Sequence, residues 1–352
     1  MQIKATFIDP AAVEAWDAWF RHRDGTRLRD TTVACTWRRV SDALGAGRDP
    51  LRHELDAALS SWRVLLDERI VASAGTDSPH WPSDPCAMVN AAAFVDDPGQ
   101  PDARFDGVRF AECAGLALRA LDAIPAPAAP AAPRPRLGVT GVADALALLG
   151  LRYDSAPALA FVRSLGRWLA EGCLRANAML AREAGARVAL TSALRGRASA
   201  RGIAPAAIAD AERHGLRQSG PLALSAHPRL AMLANGIADG LDPIACDGRA
   251  LRFPPDGRIV RSPGCARALL QAGGRTLPTR ETLDGVSIAA QLALRGALQP
   301  WLDAPIDCPV RVARAPTPDE RERASAQAVL LGLAEPRFVE ADAADVAATG
   351  AA

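Results

Sequence analysis

Cysteine and histidine are the side chains with which this sequence could bind a metal or form a covalent intermediate. The seven cysteines are dispersed and include no C-x-x-C pair, a spacing typical neither of a zinc site nor of a disulfide framework. They are Cys35, Cys86, Cys113, Cys173, Cys246, Cys265 and Cys308. The five histidines form no H-E-x-x-H pair, and neither G-x-S-x-G nor G-x-G-x-x-G occurs. We therefore expect no metal site, and no generic motif identifies a reaction.

The basic residues exclude two further classes of chemistry. Lys4 is the only lysine among 41 basic residues, and all the others are arginines. A P-loop needs a lysine that reaches the phosphates, and a Schiff-base enzyme needs a buried lysine that attacks a carbonyl. The sequence offers neither.

The overall charge gives no sign of a polyanionic partner. The 41 basic residues face 40 acidic ones, which leaves a formal net charge of +1. Nucleic-acid and anionic-membrane binding rely on a surplus of positive charge, so we expect neither partner. No apolar stretch is long enough to span a membrane, and acidic residues follow the N-terminus before any run of signal-peptide length. The expected location is the cytoplasm.

The chain divides into regions by its Pro content and its helical periodicity. The first part, 1–76, is predicted to be a helical region, in which Leu55, Leu59, Trp62 and Leu66 would share one helix face. Residues 77–123 combine a Pro-rich loop with a helix over about 105–123. A Pro-rich linker at 124–136 favours extended polyproline II, and a disordered acidic tail is expected at 339–352.

The region at 137–338 contains the clearest helix. Asp154 and Ser155 offer N-caps, apolar residues recur at steps of three and four over 156–183, and Gly185 closes the pattern. Further helices are predicted near 286–302 and over 318–333. Strand candidates are few and short, namely RVALT, PLALS and RIVRS. The predicted fold class is α/β and helix-dominated, with a minor sheet.

The segment LGVTGVADALALLGLRYDS at 137–155 resembles the signature of ribonucleotide reductase catalytic chains, in particular the class II, adenosylcobalamin-dependent branch. Upstream, DPCAMVNAAAF is similar to the family's finger loop and the strand that follows it. Downstream, RHGLRQSGPLALSAHPRLAMLANGIADGLDPI and VSIAAQLALRGALQPWLDAPIDCPVRV are similar to later barrel segments. The resemblance covers about residues 84–338, which makes 77–123 a finger-loop remnant with its helix and 137–338 a C-terminal barrel region.

The resemblance implies a fold derived from a ten-stranded α/β barrel, with the catalytic cysteine on a loop inside it. The chain is too short for that barrel, because the segment for the first half-barrel, the allosteric site and one redox cysteine is missing. We therefore expect a remnant of the barrel. Such a remnant leaves a sheet edge with unpaired backbone groups, which predicts self-association or a stable complex with another chain.

The resemblance also assigns chemical roles to individual residues. Cys86 stands at the position of the cysteine that becomes a thiyl radical, and Asp84 replaces the family's asparagine two residues before it. Met88 replaces the glutamate that serves as the base, and methionine cannot accept a proton. The two cysteines that reduce the substrate have no counterparts.

A phosphate-binding loop of the family aligns with SAHPRLA, residues 225–231. Ser225, His227 and Arg229 are the candidates for holding a substrate phosphate, although Pro228 removes one N–H donor. Four other residues in the similar blocks are expected to have structural roles. They are Asp144, with a helix-start or turn hydrogen bond, Tyr153, with a half-buried ring and a satisfied hydroxyl, His214, and Asp242, which replaces a glutamate before proline.

Three hypotheses about function follow from the resemblance. The first is a shortened, catalytically impaired ribonucleotide reductase-like protein associated with deoxyribonucleotide synthesis, with adenosylcobalamin as the implied cofactor and a ribonucleotide as a weak or lost ligand. The second is a non-catalytic binding or regulatory partner of a full-length reductase chain. The third is one half of a split enzyme. A homo-oligomer is the expected alternative to a complex with a different chain.

Overall fold

Helices make up most of the ordered secondary structure in the computed structural model, which describes residues 7–125, 134–307 and 309–340. The α-helices are α1 Pro10–Ala15, α2 Val33–Leu44, α3 Asp49–Ser60, α4 Glu68–Ser73, α5 Gly107–Asp122, α6 Val142–Leu148, α7 Ala156–Ala184, α8 Ser192–Ala200, α9 Pro205–His214, α10 Pro228–Leu233, α11 Cys265–Ala272, α12 Ile288–Leu298 and α13 Pro318–Leu330. None of the helices in these ranges is long and apolar enough to cross a lipid bilayer. The prediction of a helix-dominated fold is confirmed.

The strands are short. They are β1 Arg23–Asp24, β2 Arg27–Leu28, β3 Val64–Leu66, β4 Cys86–Asn90, β5 Val95–Asp96, β6 Arg104–Phe105, β7 Arg136–Thr140, β8 Arg249–Arg252, β9 Ile259–Ser262, β10 Val310–Val312 and β11 Phe338–Glu340. The pairs β1–β2, β5–β6 and β8–β9 are antiparallel, and the pair β10–β11 is parallel. Of the predicted strands, RIVRS forms β9. RVALT and PLALS contribute single bridges, Val188 with Leu216 and Leu222 with Leu137.

The largest sheet has the order β3–β4–β7 and lies in the core. β3 runs antiparallel to β4, and β7 runs parallel to it, so that Cys86 is opposite Arg136. On the far side of β7, Leu137 forms a parallel bridge with Leu222. Within the described ranges no sheet closes into a barrel, because every sheet has two or three strands.

The long helix α7 follows the sequence prediction closely. The Ser155 hydroxyl accepts a hydrogen bond from the Ala158 N–H, and Gly185 follows the last turn with a positive φ of 86°. Its buried face packs on α5. The two helices approach so closely at Gly172 that a Cβ there would overlap the carbonyl oxygen of Ala111. The helix is therefore fixed by its own periodicity and by a glycine at the crossing.

The N-terminal region departs from the prediction of one continuous helix face. Helix α3 ends at Ser60, Trp62 adopts a positive φ of 57°, and Leu66 lies on β3. The run VLL is buried on every side and pairs with β4. A short, fully apolar run is compatible with either a helix or a buried strand, and here the neighbouring strand decides.

One hydrophobic core joins the N-terminal helices to the rest of the chain. It includes Trp37 of α2, Leu65 of β3, Leu137 of β7, Leu165 of α7 and Leu298 of α12. The N-terminal helices thus pack into the same core as the sheet. Residues 126–133 of the predicted linker lie outside the described residues, as do 341–352 of the predicted tail. Val339 and Glu340 belong to β11, although the tail was predicted to begin at 339.

Candidate functional site

The candidate site is a group of polar side chains around the thiol of Cys86. Cys86 is the first residue of the central strand β4, and Asp67 follows the neighbouring strand β3 as the N-cap of α4. The Asp67 N–H donates to the Cys86 carbonyl at 2.8 Å. In return, the Cys86 N–H and S–H both donate to Oδ2 of Asp67, at 3.3 and 3.5 Å. Strand pairing therefore places a carboxylate directly beside the thiol.

The segment before α10 supplies the other side of the site. His227 Nδ1 lies 4.0 Å from Cys86 Sγ, and His227 Nε2 shares a hydrogen bond of 2.8 Å with the Ser225 hydroxyl. The His227 N–H donates to Oδ2 of Asp239 at 2.7 Å. We call Asp67, Cys86, Ser225, His227 and Asp239 the Cys86 cluster. Its members come from four separate parts of the chain.

The protonation states in the cluster follow from burial. Cys86 is 5% exposed, and burial together with the adjacent Asp67 carboxylate raises the pKa of its thiol well above the ordinary value. Burial lowers the pKa of His227 to about 4. Burial also acts to raise the pKa of Asp67, but hydrogen bonds and charge from Arg69 outweigh it, so that this pKa is lowered. At neutral pH the cluster holds a thiol, a neutral imidazole and an ionised Asp67.

Asp239 is the one member of the cluster whose charge changes near neutral pH. It is 2% exposed, and burial raises the pKa of its carboxyl group to about 7. Its Oδ1 atom has no hydrogen-bond partner among the described residues. Protonation would remove the cost of a buried negative charge there.

This arrangement suits a protonated thiol and disfavours a nucleophilic one. Nucleophilic cysteines need a lowered pKa and partial exposure, whereas Cys86 has a raised pKa and is buried. The S–H group faces an acceptor, the Asp67 carboxylate, and the neutral His227 ring occupies a neighbouring position. The cluster is therefore a closed site, with its thiol hydrogen directed at a protein group.

Two of the residues singled out from the sequence lie at the edge of the cluster. The Asp84 side chain is 55% exposed, and its carboxylate faces Arg69 at 3.4 Å. Arg69 also pairs with Asp67 at 2.8 Å, so it links Asp84 to the cluster. The Arg229 guanidinium lies 3.6 Å from the Glu68 carboxylate and over the Trp19 ring. The structure thus brings Cys86, Ser225 and His227 together and places Asp84 and Arg229 in ion pairs around them.

Met88, which the resemblance aligns with a glutamate, is packed in the core. Met88 is 2% exposed on β4, opposite Leu65 of β3 and Gly138 of β7. A Cβ on Gly138 would overlap the carbonyl oxygen of Ala223, so this glycine serves the close approach of two backbone segments. No disulfide forms among the six cysteines of the described chain, which are all free.

The residues around Cys86 do not fit adenosylcobalamin. A corrin ring needs an open face beside the thiol from which a hydrogen atom would be taken. Here Asp67 contacts the thiol, His227 flanks it, and the sulfur is buried in the core. Within the described ranges, no group of three histidine, cysteine or carboxylate side chains is arranged to hold a metal ion.

Several buried polar residues that the sequence had linked to the family have structural contacts. The contacts of Asp144 reach beyond the predicted local hydrogen bond, because its carboxylate also accepts from the distant N–H groups of Ala238 and Ala266, at 2.6 and 3.0 Å. The Tyr153 hydroxyl donates to the Leu241 carbonyl, as a satisfied buried hydroxyl should. Its ring is fully buried rather than half-buried.

Asp242 and His214 also make structural contacts. The Asp242 carboxylate forms two buried ion pairs, with Arg295 at 3.1 Å and Arg311 at 2.9 Å. His214 Nε2 lies 3.6 Å from a carboxylate oxygen of Asp210, one turn earlier on α9. Both residues are accounted for by their neighbours.

Sequence reasoning missed Asp67 and Asp239. A signal existed for Asp67, since an aspartate before an apolar helical segment is a preferred N-cap. Nothing in the sequence indicated that the same carboxylate would meet Cys86, 19 residues later. Asp239 carried no signal, because its contact with His227 depends on the fold of the segment after α10.

The three segments that carry the reductase resemblance meet at this site. DPCAM contains the start of β4, LGVT forms most of β7 beside it, and SAHP supplies Ser225 and His227. No protein-family model and no curated protein matches this chain.

Proposed function

We propose that this chain is a shortened relative of the class II ribonucleotide reductase catalytic chain that keeps the buried thiol of the site and is catalytically impaired. The observation that carries the proposal is the convergence around Cys86. Arg136 of β7 lies opposite Cys86 in parallel pairing, and His227, 141 residues after Cys86, lies 4.0 Å from its sulfur. Convergence of the three blocks is what descent from one active site would produce.

The described sheets have two or three strands and none closes into a barrel, so we infer a barrel ancestry from strand direction alone. β4 and β7 are parallel neighbours, and Leu137 adds a parallel bridge to Leu222, with hydrogen bonds of 2.7 and 3.0 Å to the flanking residues. Successive parallel strands are the building unit of an α/β barrel. We infer that this sheet is what is left of the barrel after the loss of its first half.

The impairment follows from the groups around the thiol. Met88 cannot act as the base, and the polar groups that Cys86 Sγ meets are Asp67 and His227. The candidates for holding a phosphate are engaged within the protein. Ser225 and His227 bond to each other, and Glu68 lies beside Arg229. Ribonucleotide binding should therefore be weak.

The alternative, a regulatory partner of a full-length reductase, is favoured by one surface feature. Val329 and Leu330 at the end of α13 are 75% and 87% exposed, an unusual pair of adjacent apolar side chains on a charged helix. A full-length reductase chain is the partner that the resemblance suggests. A second copy of this chain is the other partner to test.

The decisive experiment measures deoxyribonucleotide formation with adenosylcobalamin and a dithiol, with and without a full-length class II reductase chain. We expect no product from the chain alone, and a changed reductase rate when the two are mixed if it is a regulator. If mixing with a half-barrel chain restores turnover, Cys86→Ala should abolish it, and Cys265→Ala on α11 is the matched control. Turnover by the chain alone would contradict the impairment. Absence of any binding to ribonucleotide or reductase would contradict the family function.

A further inference from the structure

In contrast to the closed Cys86 cluster, an open groove lies where α3, α5 and α7 meet. It is open to solvent and has a volume of about 790 Å³, within the range of small-molecule sites. Its lining is mainly apolar and small, and includes Ala57, Ala111, Gly115, Leu116, Ala176 and Met179. We call it the α5 groove. None of its lining residues belongs to the Cys86 cluster.

Arg63 is the charged group that gives this groove a chemical preference. Its backbone is fixed, because its N–H donates to the Ala58 carbonyl at 2.9 Å and its carbonyl accepts from the Asn90 N–H at 3.0 Å. Its guanidinium lies 5.8 Å from the centre of the Phe94 ring. Nε is buried without a hydrogen-bond partner, and no carboxylate in the part of the chain that the structure describes forms an ion pair with Arg63.

The other charges of the groove leave a positive surplus. Arg119 pairs with Glu54 at 2.7 Å, and Arg175 pairs with Glu171 at 2.5 Å, so these four charges cancel. Arg63 and Arg167 then face a single acidic residue of the lining, Glu112. A ligand that brings one negative charge would complement this surplus. Guanidinium groups bind carboxylates through paired N–H donors.

We propose that the α5 groove binds a small amphipathic carboxylate, with its carboxylate at Arg63 and its apolar chain along the floor formed by α5 and α7. The charge of the ligand follows from Arg63, and the apolar chain follows from Gly115, Leu116 and Met179. The assignment does not depend on the reductase relationship. The Cys86 cluster could lose or keep its chemistry without changing this groove.

The test is calorimetric titration with decanoate below its micelle concentration, with 1-decanol and acetate as comparison ligands. Decanoate should bind at one saturable site, and 1-decanol should bind about tenfold more weakly because it cannot form the charge-assisted pair. Acetate should show no binding, because it lacks the chain. Absence of saturable decanoate binding would overturn the proposal.

Two variants locate the ligand. Arg63→Gln should weaken decanoate about tenfold and leave 1-decanol unchanged, since only the charged contact is lost. Ala57→Leu should weaken both, because it fills the groove from an exposed position on α3. Ala209→Leu, at an exposed position on α9, is the matched control and should bind as the unmodified protein does.

The binding results distinguish a small-molecule site in the α5 groove from binding elsewhere on the protein and from a protein-docking surface. If both groove variants bind decanoate unchanged, the ligand sits elsewhere and the proposal fails. If either variant does not fold, as judged by circular dichroism, the other decides. If an acidic amphipathic peptide binds and decanoate does not, the groove is a protein-docking surface and the small-molecule assignment is wrong.

Discussion

The Cys86 cluster and the α5 groove differ in how their charges are partnered and in how much open space they contain. Around Cys86, the Asp67 carboxylate is paired with Arg69, the Arg229 guanidinium with Glu68, and the thiol is buried. In the groove, Arg63 has open space beside it and no carboxylate partner among the described residues. The region that family-like motifs marked is closed, whereas the open region carries no motif. Chemistry-bearing residue types therefore do not by themselves identify the surface that is free to bind.

The largest expected effect on stability comes from removing the Asp67 carboxylate, which bonds to Cys86 and caps α4. Asp67→Ala should lower the free energy of unfolding by about 3 kcal/mol, because α4 loses its N-cap and the buried N–H of Cys86 loses its acceptor. Urea denaturation measures it. Asp84→Ala, at an exposed position, is the control and should cost less than about 0.5 kcal/mol. Equal losses in the two variants would contradict the central role of Asp67.

Thiol reactivity should distinguish a closed site from an exposed one. Hydrogen bonds from Thr31 and Thr32 lower the pKa of Cys35 to about 7, while the pKa of Cys86 is raised. At pH 7, iodoacetamide should therefore modify Cys35 at least about a hundredfold faster than Cys86, because the thiolate is the reactive form. Peptide mapping by mass spectrometry gives both rates in one sample. Comparable rates would show that the Cys86 site opens.

The close contact between α5 and α7 at Gly172 should leave no room for a side chain. Gly172→Ala should destabilise the protein by about 2 kcal/mol, because the new Cβ overlaps the Ala111 carbonyl oxygen and forces α5 and α7 apart. Gly196→Ala on α8 is the matched control, since nothing lies within 4 Å of its Cβ position. It should be neutral or stabilising by up to about 1 kcal/mol. Thermal unfolding of both variants checks the prediction.

The Cys86 cluster should make stability depend on pH. The pKa of His227 is about 4 in the folded protein and close to 6.5 when unfolded, so the unfolded chain takes up a proton first as the pH falls. Stability from this group is present above pH 6.5 and declines towards pH 4, by up to about 1 kcal/mol per pH unit. Asp239 acts in the opposite direction, because its pKa is raised to about 7. Comparison with a single variant isolates the His227 contribution.

That variant is His227→Gln, which should lose less stability than the unmodified protein between pH 6.5 and pH 4. Denaturation curves at several pH values measure the difference. His53→Gln, at an exposed position, is the control and should follow the unmodified protein. Parallel pH profiles for His227→Gln and the unmodified protein would contradict a buried neutral imidazole.

The smallest effect is expected at the open groove. Arg63→Gln should change the free energy of unfolding by less than about 0.5 kcal/mol, because the loss of the contact with Phe94 is offset by removal of a buried Nε without a partner. Urea denaturation measures this as well. A large loss would mean that Arg63 holds the fold together, and that its charge is not available to a ligand.

The sequence by itself determined the helices whose periodicity is long. Helix α7 begins after Ser155 and ends before Gly185 as predicted, because caps and a 3.6-residue repeat over eight turns need no tertiary information. The helix-dominated class follows from several such segments. Through the resemblance, the sequence also singled out Cys86, Ser225 and His227 as candidate residues, and the roles it gave them stay predictions.

Only the tertiary structure decided the strands and the state of the site. The run VLL could have continued a helix, and it became β3 because β4 lies beside it. The pKa of the Cys86 thiol is raised because the thiol is buried next to Asp67, a contact between the first residue of β4 and the residue that follows β3, which no sequence spacing encodes. The open groove beside Arg63 likewise exists because three helices meet there. Burial and open space depend on the packing of distant segments, and this is why the sequence pattern could not supply them.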